Sequence, residues 1–400
     1  MHNKDDDIII AGAVRTAIGK FGGGLKDVRA SHLAAHVMKA VVERTKIDPG
    51  ILDDVIAGDC LQNIDEANTA RTAALMAGFP AHVPAYTIQR QCSSSMQAVA
   101  SAAQAIKAGD AEIVMVVGVE SMSSAPYCMQ KARWGFRLMH QEVTDALWEV
   151  LHSGSRLLGK PMIMGETAEN LAEKYGITRE EQDQVALESH HKAEAAIKAG
   201  KFKEEIVPIE VKGPKGKSFI FEQDEHPRFG LKMEDLAKLP PVFKKNGTVT
   251  AGNSSGLNDG AAAALITTRR KARELAIEPM GRIVATAVAG VEPHLMGYGP
   301  VPATQKVLKK AGVSLKDVQL IELNEAFAAQ YIACERGLGI DRSITNVNGS
   351  GISLGHPIGC TGLRIIVSLL YEMKRRNLEL GLATLCVGGG MGMATLIARD

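Results

Sequence analysis

Four residues in this 400-residue chain could carry chemistry together: Cys92, Asn324, His356 and Cys386. Cys92 closes the polar stretch Gln89-Arg90-Gln91 after a short extended run, and a small-residue helix is expected from about Ser93 to Ala108, stopped by Gly109. A cysteine before a helix N-terminus meets unpaired N–H groups and the positive end of the helix dipole, which favour a thiolate. A lone cysteine is more often small buried filler. His356 lies in Gly355-His356-Pro357, a rigid loop of little bulk that a core histidine would not need. Asn324 begins Asn324-Glu325-Ala326-Phe327-Ala328 after the apolar run Leu320–Leu323, where a helix N-cap is the ordinary use of asparagine. Cys386 opens Cys386-Val387-Gly388-Gly389-Gly390, whose glycines let backbone N–H groups approach a ligand. A cysteine paired with a histidine makes a thiolate nucleophile. A second cysteine is superfluous for hydrolysis and suggests a second proton transfer.

The elements that must position these residues repeat. Ile8–Val14 reads as a buried strand, Ser31–Thr45 as a helix, Val55–Gly58 as a strand and Asn68–Gly78 as a helix; the Cys92 unit and the strand Ile113–Val119 follow. The last third repeats this order. Arg282–Val291 reads as a strand, Pro302–Ala311 as a helix, Gln319–Leu323 as a strand and Ala326–Arg336 as a helix. Ile344–Asn348 is expected to be extended, Gly359–Arg375 helical, and Leu382–Cys386 and Met391–Ala398 to be closing strands. Each end therefore gives an alternating β-α pattern, an α/β class with two similar halves. The expected organisation is an N-terminal half over 1–120, a more polar insertion over 121–279 and a C-terminal half over 280–400. Halves packed about a pseudo-twofold axis would bring strand ends from both to one central site.

Composition narrows the function. The chain is 46% hydrophobic and 23% charged, with a formal net charge of +1, so charge points to neither nucleic acid nor an anionic membrane. No apolar run is long enough to span a bilayer. The acidic start, Met1 to Asp7, lacks the apolar core of a signal peptide, and the six scattered cysteines fit reduced thiols, so a cytoplasmic location is expected. No cluster at metal-ligand spacing appears, and no metal is expected. Gly22-Gly23-Gly24 lacks the strand–glycine–helix setting of a phosphate loop. Lys212, Lys215 and Lys217 read first as a solvated charge run and second as phosphate attraction.

The motifs around Cys92-Ser93-Ser94, Asn324-Glu325-Ala326-Phe327, Gly355-His356-Pro357-Ile358-Gly359 and Cys386-Val387-Gly388-Gly389-Gly390, in this order, make the whole chain resemble the thiolase family. Met164–Asn170 and Thr250–Gly260 are similar to its loop domain. The resemblance implies duplicated βαβαβαββ halves in a layered α/β/α/β/α core with an inserted loop domain. It implies acyl transfer between coenzyme A thioesters, most closely the condensation of two acetyl-CoA to acetoacetyl-CoA. The alternatives are a 3-ketoacyl-CoA thiolase for longer or branched chains and a non-catalytic acyl-CoA-binding homologue. A binding module would need none of the four reactive residues. By resemblance Cys92 takes the acyl group, His356 removes its proton, Cys386 moves the α-proton and Asn324 holds a water at the enolate oxygen. The N–H groups of Cys92 and Gly388 form the other oxyanion hole. Arg228 would lie near the adenine nucleotide and Ser255 at the pantetheine, with Met164, Phe243 and Phe327 lining the tunnel. The resemblance also implies a homotetramer with acyl-CoA as its small-molecule partner and no bound cofactor. Gln89, Ser95, Ser350 and Ile163 depart from the family's usual residues.

Overall fold

The structure is a computed structural model that describes residues 4–213 and 216–399; Lys215 lies outside the described residues. The first half runs β1 (Ile8–Arg15), α1 (Ala30–Thr45), β2 (Asp54–Asp59), α2 (Thr69–Met76), β3 (Ala85–Ile88), α3 (Ser94–Ala108) and β4 (Ile113–Ser121). The middle carries helices α4 (Met164–Tyr175) and α5 (Arg179–Lys198), and β5 (Asn258–Thr268) follows. The second half runs β6 (Pro279–Gly290), α6 (Pro300–Ala311), β7 (Leu320–Leu323), α7 (Ala328–Leu338), α8 (Thr361–Arg376), β8 (Leu380–Val387) and β9 (Met391–Ala398).

The strands form one path, β7-β8-β9-β6-β1-β5-β4-β2-β3, with the short strand Gly19–Lys20 added to β5. It consists of two half-sheets of the same plan. The orders β1-β5-β4-β2 and β6-β9-β8-β7 correspond, and the halves join where β1 meets β6 antiparallel over Ile9–Ala11. Helices α3 and α8 pack on each other and lie between the half-sheets, while α1 and α2 cover one outer face and α6 the other. This is the layered α/β/α/β/α core of the expected α/β class.

Two-sided cover explains the unbroken apolar strands. Along β1, Ile9, Ala11 and Val14 pack in the outer core with α1, whereas Ile8, Ile10 and Ala13 pack in the central core with α3 and α8. In β4, Met115 and Val117 face outward and Val114 and Val116 face the central helices. A strand covered on both faces has no polar alternation to show. Each fully buried Ile or Val contributes about 1.5–3 kcal/mol relative to exposure.

Two expectations need correction. The segment 121–279 is not all insertion, because β5 is a core strand paired to both β1 and β4. The true insertion is 122–257, and it occupies the place that the Gly388–Gly390 turn holds between β8 and β9. Ile344–Asn348 is not a strand. It touches β7 through a single bridge, Ile321 to Thr345. Asn346, with φ +47°, turns the chain away, and its side-chain amide replaces the ladder by accepting from Leu323 N (2.9 Å) and donating to Leu323 O (2.8 Å). The insertion is tied back to the core by Arg15 at the end of β1. Its buried guanidinium donates to Asp224 Oδ1 (2.7 Å), Asp224 Oδ2 (3.0 Å) and Glu205 Oε1 (2.7 Å).

Candidate active site

Cys92 follows β3 through a tight turn. Gln91 sits at φ +45°, an uncommon conformation for a side chain with a Cβ, and such strain gathers at functional sites. Ser94 holds the turn: its hydroxyl donates to Gln91 O (2.7 Å) and accepts from Arg90 N (2.9 Å). Helix α3 then runs close against the sheet. A Cβ on Gly58 of β2 would lie 2.2 Å from the Ser94–Ser95 backbone, and one on Gly118 of β4 would lie 2.5 Å from Ser95 Cβ. The glycines are therefore required where the helix start meets the strands. Ser95, one of the departures from the family pattern, fastens the two halves: its hydroxyl donates to Cys360 O and accepts from Leu363 N, both at 2.9 Å.

His356 hangs on a loop pinned from several sides. Its N–H donates to Asn258 Oδ1 (2.9 Å), and Gly359 N donates to Glu120 Oε2 (2.8 Å). Gly355 has φ +105° and packs on the Asn258 amide, where a Cβ would lie 2.7 Å away. The imidazole Nδ1 is 2.6 Å from Thr361 Oγ1, and that hydroxyl also donates to Pro357 O at 2.9 Å. In this arrangement the Thr361 lone pairs are free for an Nδ1–H, which leaves the lone pair on Nε2. Nε2 is buried and has no hydrogen-bond partner among the described residues.

Asn324 is fully buried and does not cap α7, which starts at Ala328 behind Phe327. Its Nδ2 lies 3.4 Å from His356 Nδ1 and its Oδ1 has no hydrogen-bond partner among the described residues. The capping reading is thus set aside by the geometry. Cys386 is the penultimate residue of β8, at 1% exposure. The backbone N–H groups of Gly388 and of Cys92 itself face the Cys92 sulfur.

These parts meet at one cavity of about 130 Å³. Of the residues expected at the site, Cys92, Met164, Phe243, Ser255, Phe327, His356 and Cys386 line it. Asn324 stands beside His356 outside the lining, and Gly388 stands at the Cys92 sulfur. Arg228 is exposed and does not line the cavity. It lies two residues beyond His226, whose ring packs on Gly256 next to Ser255. The loop bearing Ser255 is held by pairing with the Asn324 loop, through Ser255 N to Ala326 O and Ala328 N to Asn253 O, each 2.9 Å. Phe243 lies against Gly165 and edge-on to Phe327, with ring centroids 6.2 Å apart.

Electrostatics modify the expectation of a resting thiolate. Cys92 is open only to the cavity, and burial pushes its thiol up to about 11, outweighing the N–H groups of Gly388 and Cys92 that pull it down. The helix end alone does not ionise it. Burial, then the charge of Arg364, pulls His356 down to about 3, so the imidazole is neutral and able to accept a proton. Burial, then the nearby Cys92, also raises the Cys386 thiol. The resting site is a neutral thiol facing a neutral base, with a second protonated thiol across the cavity.

Residue-type reasoning missed Thr361, Asn258 and Glu120. A threonine at a helix start reads as a cap, and only the fold reveals that it holds His356. The glycine loop at Gly22–Gly24 is filled from within: Glu225 accepts from Lys20 N (3.0 Å) and Gly24 N (3.1 Å), which leaves no place for phosphate.

The site and its fold have counterparts. The family model described as thiolase, N-terminal domain, matches residues 8–270, and that described as thiolase, C-terminal domain, matches 277–399. An acetyl-CoA acetyltransferase of Pseudomonas aeruginosa is 49% identical over 399 residues, covering 98% of this chain and 100% of the relative. The crystal structure of the Bacillus anthracis acetyl-CoA acetyltransferase superposes with a TM-score of 0.96 at 54% identity, covering 99% of this chain and 100% of the other. Human mitochondrial 3-ketoacyl-CoA thiolase superposes with a TM-score of 0.95 at 44% identity, each chain covered fully. The two family models meet between β5 and β6, where the chain passes from the first half to the second, and together they span both cysteines and the histidine: the chain belongs to the thiolase family.

Proposed function

We propose that this acyltransferase condenses two acetyl-CoA to acetoacetyl-CoA and CoA, reversibly, through an acyl-cysteine at Cys92. The observation that carries the reading is the single small cavity faced by Cys92, Cys386 and the unpartnered Nε2 of His356. Relatives named acetyl-CoA acetyltransferase at about half identity over the full chain support it.

In the first half-reaction His356 Nε2 takes the Cys92 thiol proton as sulfur attacks the acetyl carbonyl. The oxyanion forms where the Cys92 and Gly388 N–H groups converge. The C–S bond to CoA breaks, and the leaving sulfur takes the proton from His356. In the second, the Cys386 thiol gives its proton to His356 Nε2, and the resulting thiolate removes the α-proton of another acetyl-CoA. The enolate oxygen rests against His356 and a water held by Asn324. The enolate carbon attacks the acetyl-Cys92 carbonyl, the C–S bond to Cys92 breaks as acetoacetyl-CoA departs, and the proton on His356 passes to Cys92, leaving Cys386 a thiol again. Thr361 serves both halves, since its hydroxyl oxygen accepts from Nδ1–H both while Nε2 is the free base and while Nε2 carries the proton. The adenine nucleotide phosphates sit at exposed Arg228 and the pantetheine passes Ser255, Met164, Phe243 and Phe327.

The steps use protein groups alone, so we assign no metal or redox cofactor. Activity lost to a chelator and restored by a metal would count against this. We assign a homotetramer. Trp134, Leu138 and Met139 in the insertion are 87%, 95% and 84% exposed, and among the described residues β3 leaves one sheet edge unpaired. Sedimentation showing only a 42.7 kDa species at micromolar concentration would overturn that. Among the described residues no helix is long and apolar enough to cross a membrane, and we place the enzyme in the cytoplasm. Thiolysis of acetoacetyl-CoA by free CoA tests the activity. Two acetyl-CoA per turnover are expected from the parent and none from Cys92→Ala; an inactive parent would overturn the reading.

A further inference from the structure

Arg228 stands on a surface loop with its side chain in solvent, and a loop cation has no fixed place unless something holds its backbone. Helix α5 grips that loop at three points. His190 Nδ1 accepts from Arg228 N (3.2 Å), Glu194 Oε2 accepts from Gly230 N (2.8 Å), and His191 Nε2 donates to Leu231 O (2.9 Å). Upstream, the same loop is fixed by Asp224 on Arg15. The grips of His191 and Glu194 lie in solvent, whereas His190 is 2% exposed. Burial, then the charges of His226 and Arg228, pulls the His190 imidazole down to about 3, so near neutral pH Nδ1 keeps its lone pair for the Arg228 N–H.

His190 also reaches the pantetheine side. Its ring stacks on that of His226, with centroids 6.4 Å apart and planes at 28°. The His226 ring lies against Gly256, where a Cβ would come within 2.3 Å of it, and hydrogen-bonds the Ile352 backbone in the turn Gly351–Leu354 ahead of His356. One buried histidine on a long helix is thus joined to the loop cation on one side and, through a second ring, to the Ser255–Gly256 loop on the other. Coenzyme A is gripped at both ends, and the cation helps only if it meets the phosphates while the thioester stands at Cys92. We propose that His190 is a positioning residue for coenzyme A, setting the spacing between Arg228 and the Ser255 loop so that nucleotide and thioester are held together. This rests on the reading of Arg228 as the phosphate contact. His190 touches no part of the substrate and acts through Arg228.

The test is the ratio of kcat/KM for acetyl-CoA to that for acetyl-pantetheine, the same thioester without the nucleotide. A histidine that merely supported the fold would be felt equally by both substrates, and the ratio does not depend on how much of a preparation is folded. An exposed cation on a phosphate contributes roughly two- to fivefold. His190→Leu, which fills the space and removes the acceptor, should lower the ratio by that factor, through KM for acetyl-CoA. His190→Asn, whose Oδ1 stands near the place of Nδ1, should bring it back. His190→Leu combined with Arg228→Ala should give a ratio no lower than Arg228→Ala alone, since both losses run through one cation. A ratio unmoved by His190→Leu, no higher in His190→Asn than in His190→Leu, or lowered multiplicatively in the double variant overturns the positioning role. A ratio unmoved by Arg228→Ala removes the phosphate contact and the positioning role with it, and leaves acyl transfer at Cys92 standing.

Discussion

Thr361 offers the sharpest test of how the site works, because it touches the base without lining the cavity. Thr361→Val keeps the shape of a fully buried side chain and removes only the hydroxyl. His356 Nδ1 then loses its 2.6 Å partner. The remaining polar neighbour, Asn324 Nδ2 at 3.4 Å, is itself a donor and cannot accept an Nδ1–H. A buried donor left unpaired costs about 1–3 kcal/mol, roughly fivefold to 150-fold in rate. The absence of a substitute acceptor puts the expectation in the upper part of that range. The loss should appear in kcat of both half-reactions, with KM for acetyl-CoA nearly unchanged. Rapid-quench measurement of the CoA burst from acetyl-CoA reads the first half-reaction directly. Thr361→Ser restores the hydroxyl and should restore most of the burst rate. The lost bond to Pro357 O should cost about 1 kcal/mol of stability in Thr361→Val, read separately from its melting. If the valine variant acylates within twofold of the parent, Thr361 does not hold the base and the tautomer argument fails.

Other outcomes follow from the same geometry. Cys386→Ser should still acquire an acetyl group on Cys92 from labelled acetyl-CoA, yet condense slower by roughly two to four powers of ten; label on residue 386 would reverse the assignment. Arg228→Ala should raise KM for acetyl-CoA with little change in kcat, more so at low salt, where the attraction of an exposed cation for phosphate is least screened; an unchanged KM at low salt would remove Arg228 from the CoA site. Burial raises the Glu322 carboxyl to about 8 in the fold. The fold therefore binds this proton more tightly than the unfolded chain does, and the stabilisation is complete below the ordinary carboxyl range and lost as pH rises through about 8. Glu322→Gln, neutral at every pH, should flatten the fall in melting temperature between pH 5 and 8.5, and an equally steep fall would refute the shift. His356 at about 3 predicts the opposite limb: the base stays unprotonated down to that region, so acylation should show no loss centred near pH 6.5.

Most of the site was legible because its residues announce themselves by type. Cysteines at strand ends, a histidine between Gly355 and Pro357, and a glycine run after Cys386 are costly choices without a function. The half-sheets were legible because β1, β4 and β8 are apolar without alternation. The edges of the insertion were not. Residues Gly260–Ile266 contain four consecutive alanines, the best helix former, and nothing local marks them as a strand flanked by β1 and β4. Asn346 misled in the other direction, since its amide does the work of a strand backbone while its own backbone turns away. The thiol at Cys92 misled for an electrostatic reason: loss of water around the sulfur outweighs the helix end. Asn258 and Glu120 act through contacts between distant parts of the chain, which no window of neighbours contains.

The position of β9 sets a condition on how the site is put together. The strand Met391–Ala398 is not at the rim of its half-sheet but between β6 and β8. Without it, β6 and β8 have no ladder between them, and the turn that brings Gly388 to Cys92 has nothing to close against. Both cysteines and the histidine precede β9 in the sequence, so the strand that carries none of them is the one that lets them meet.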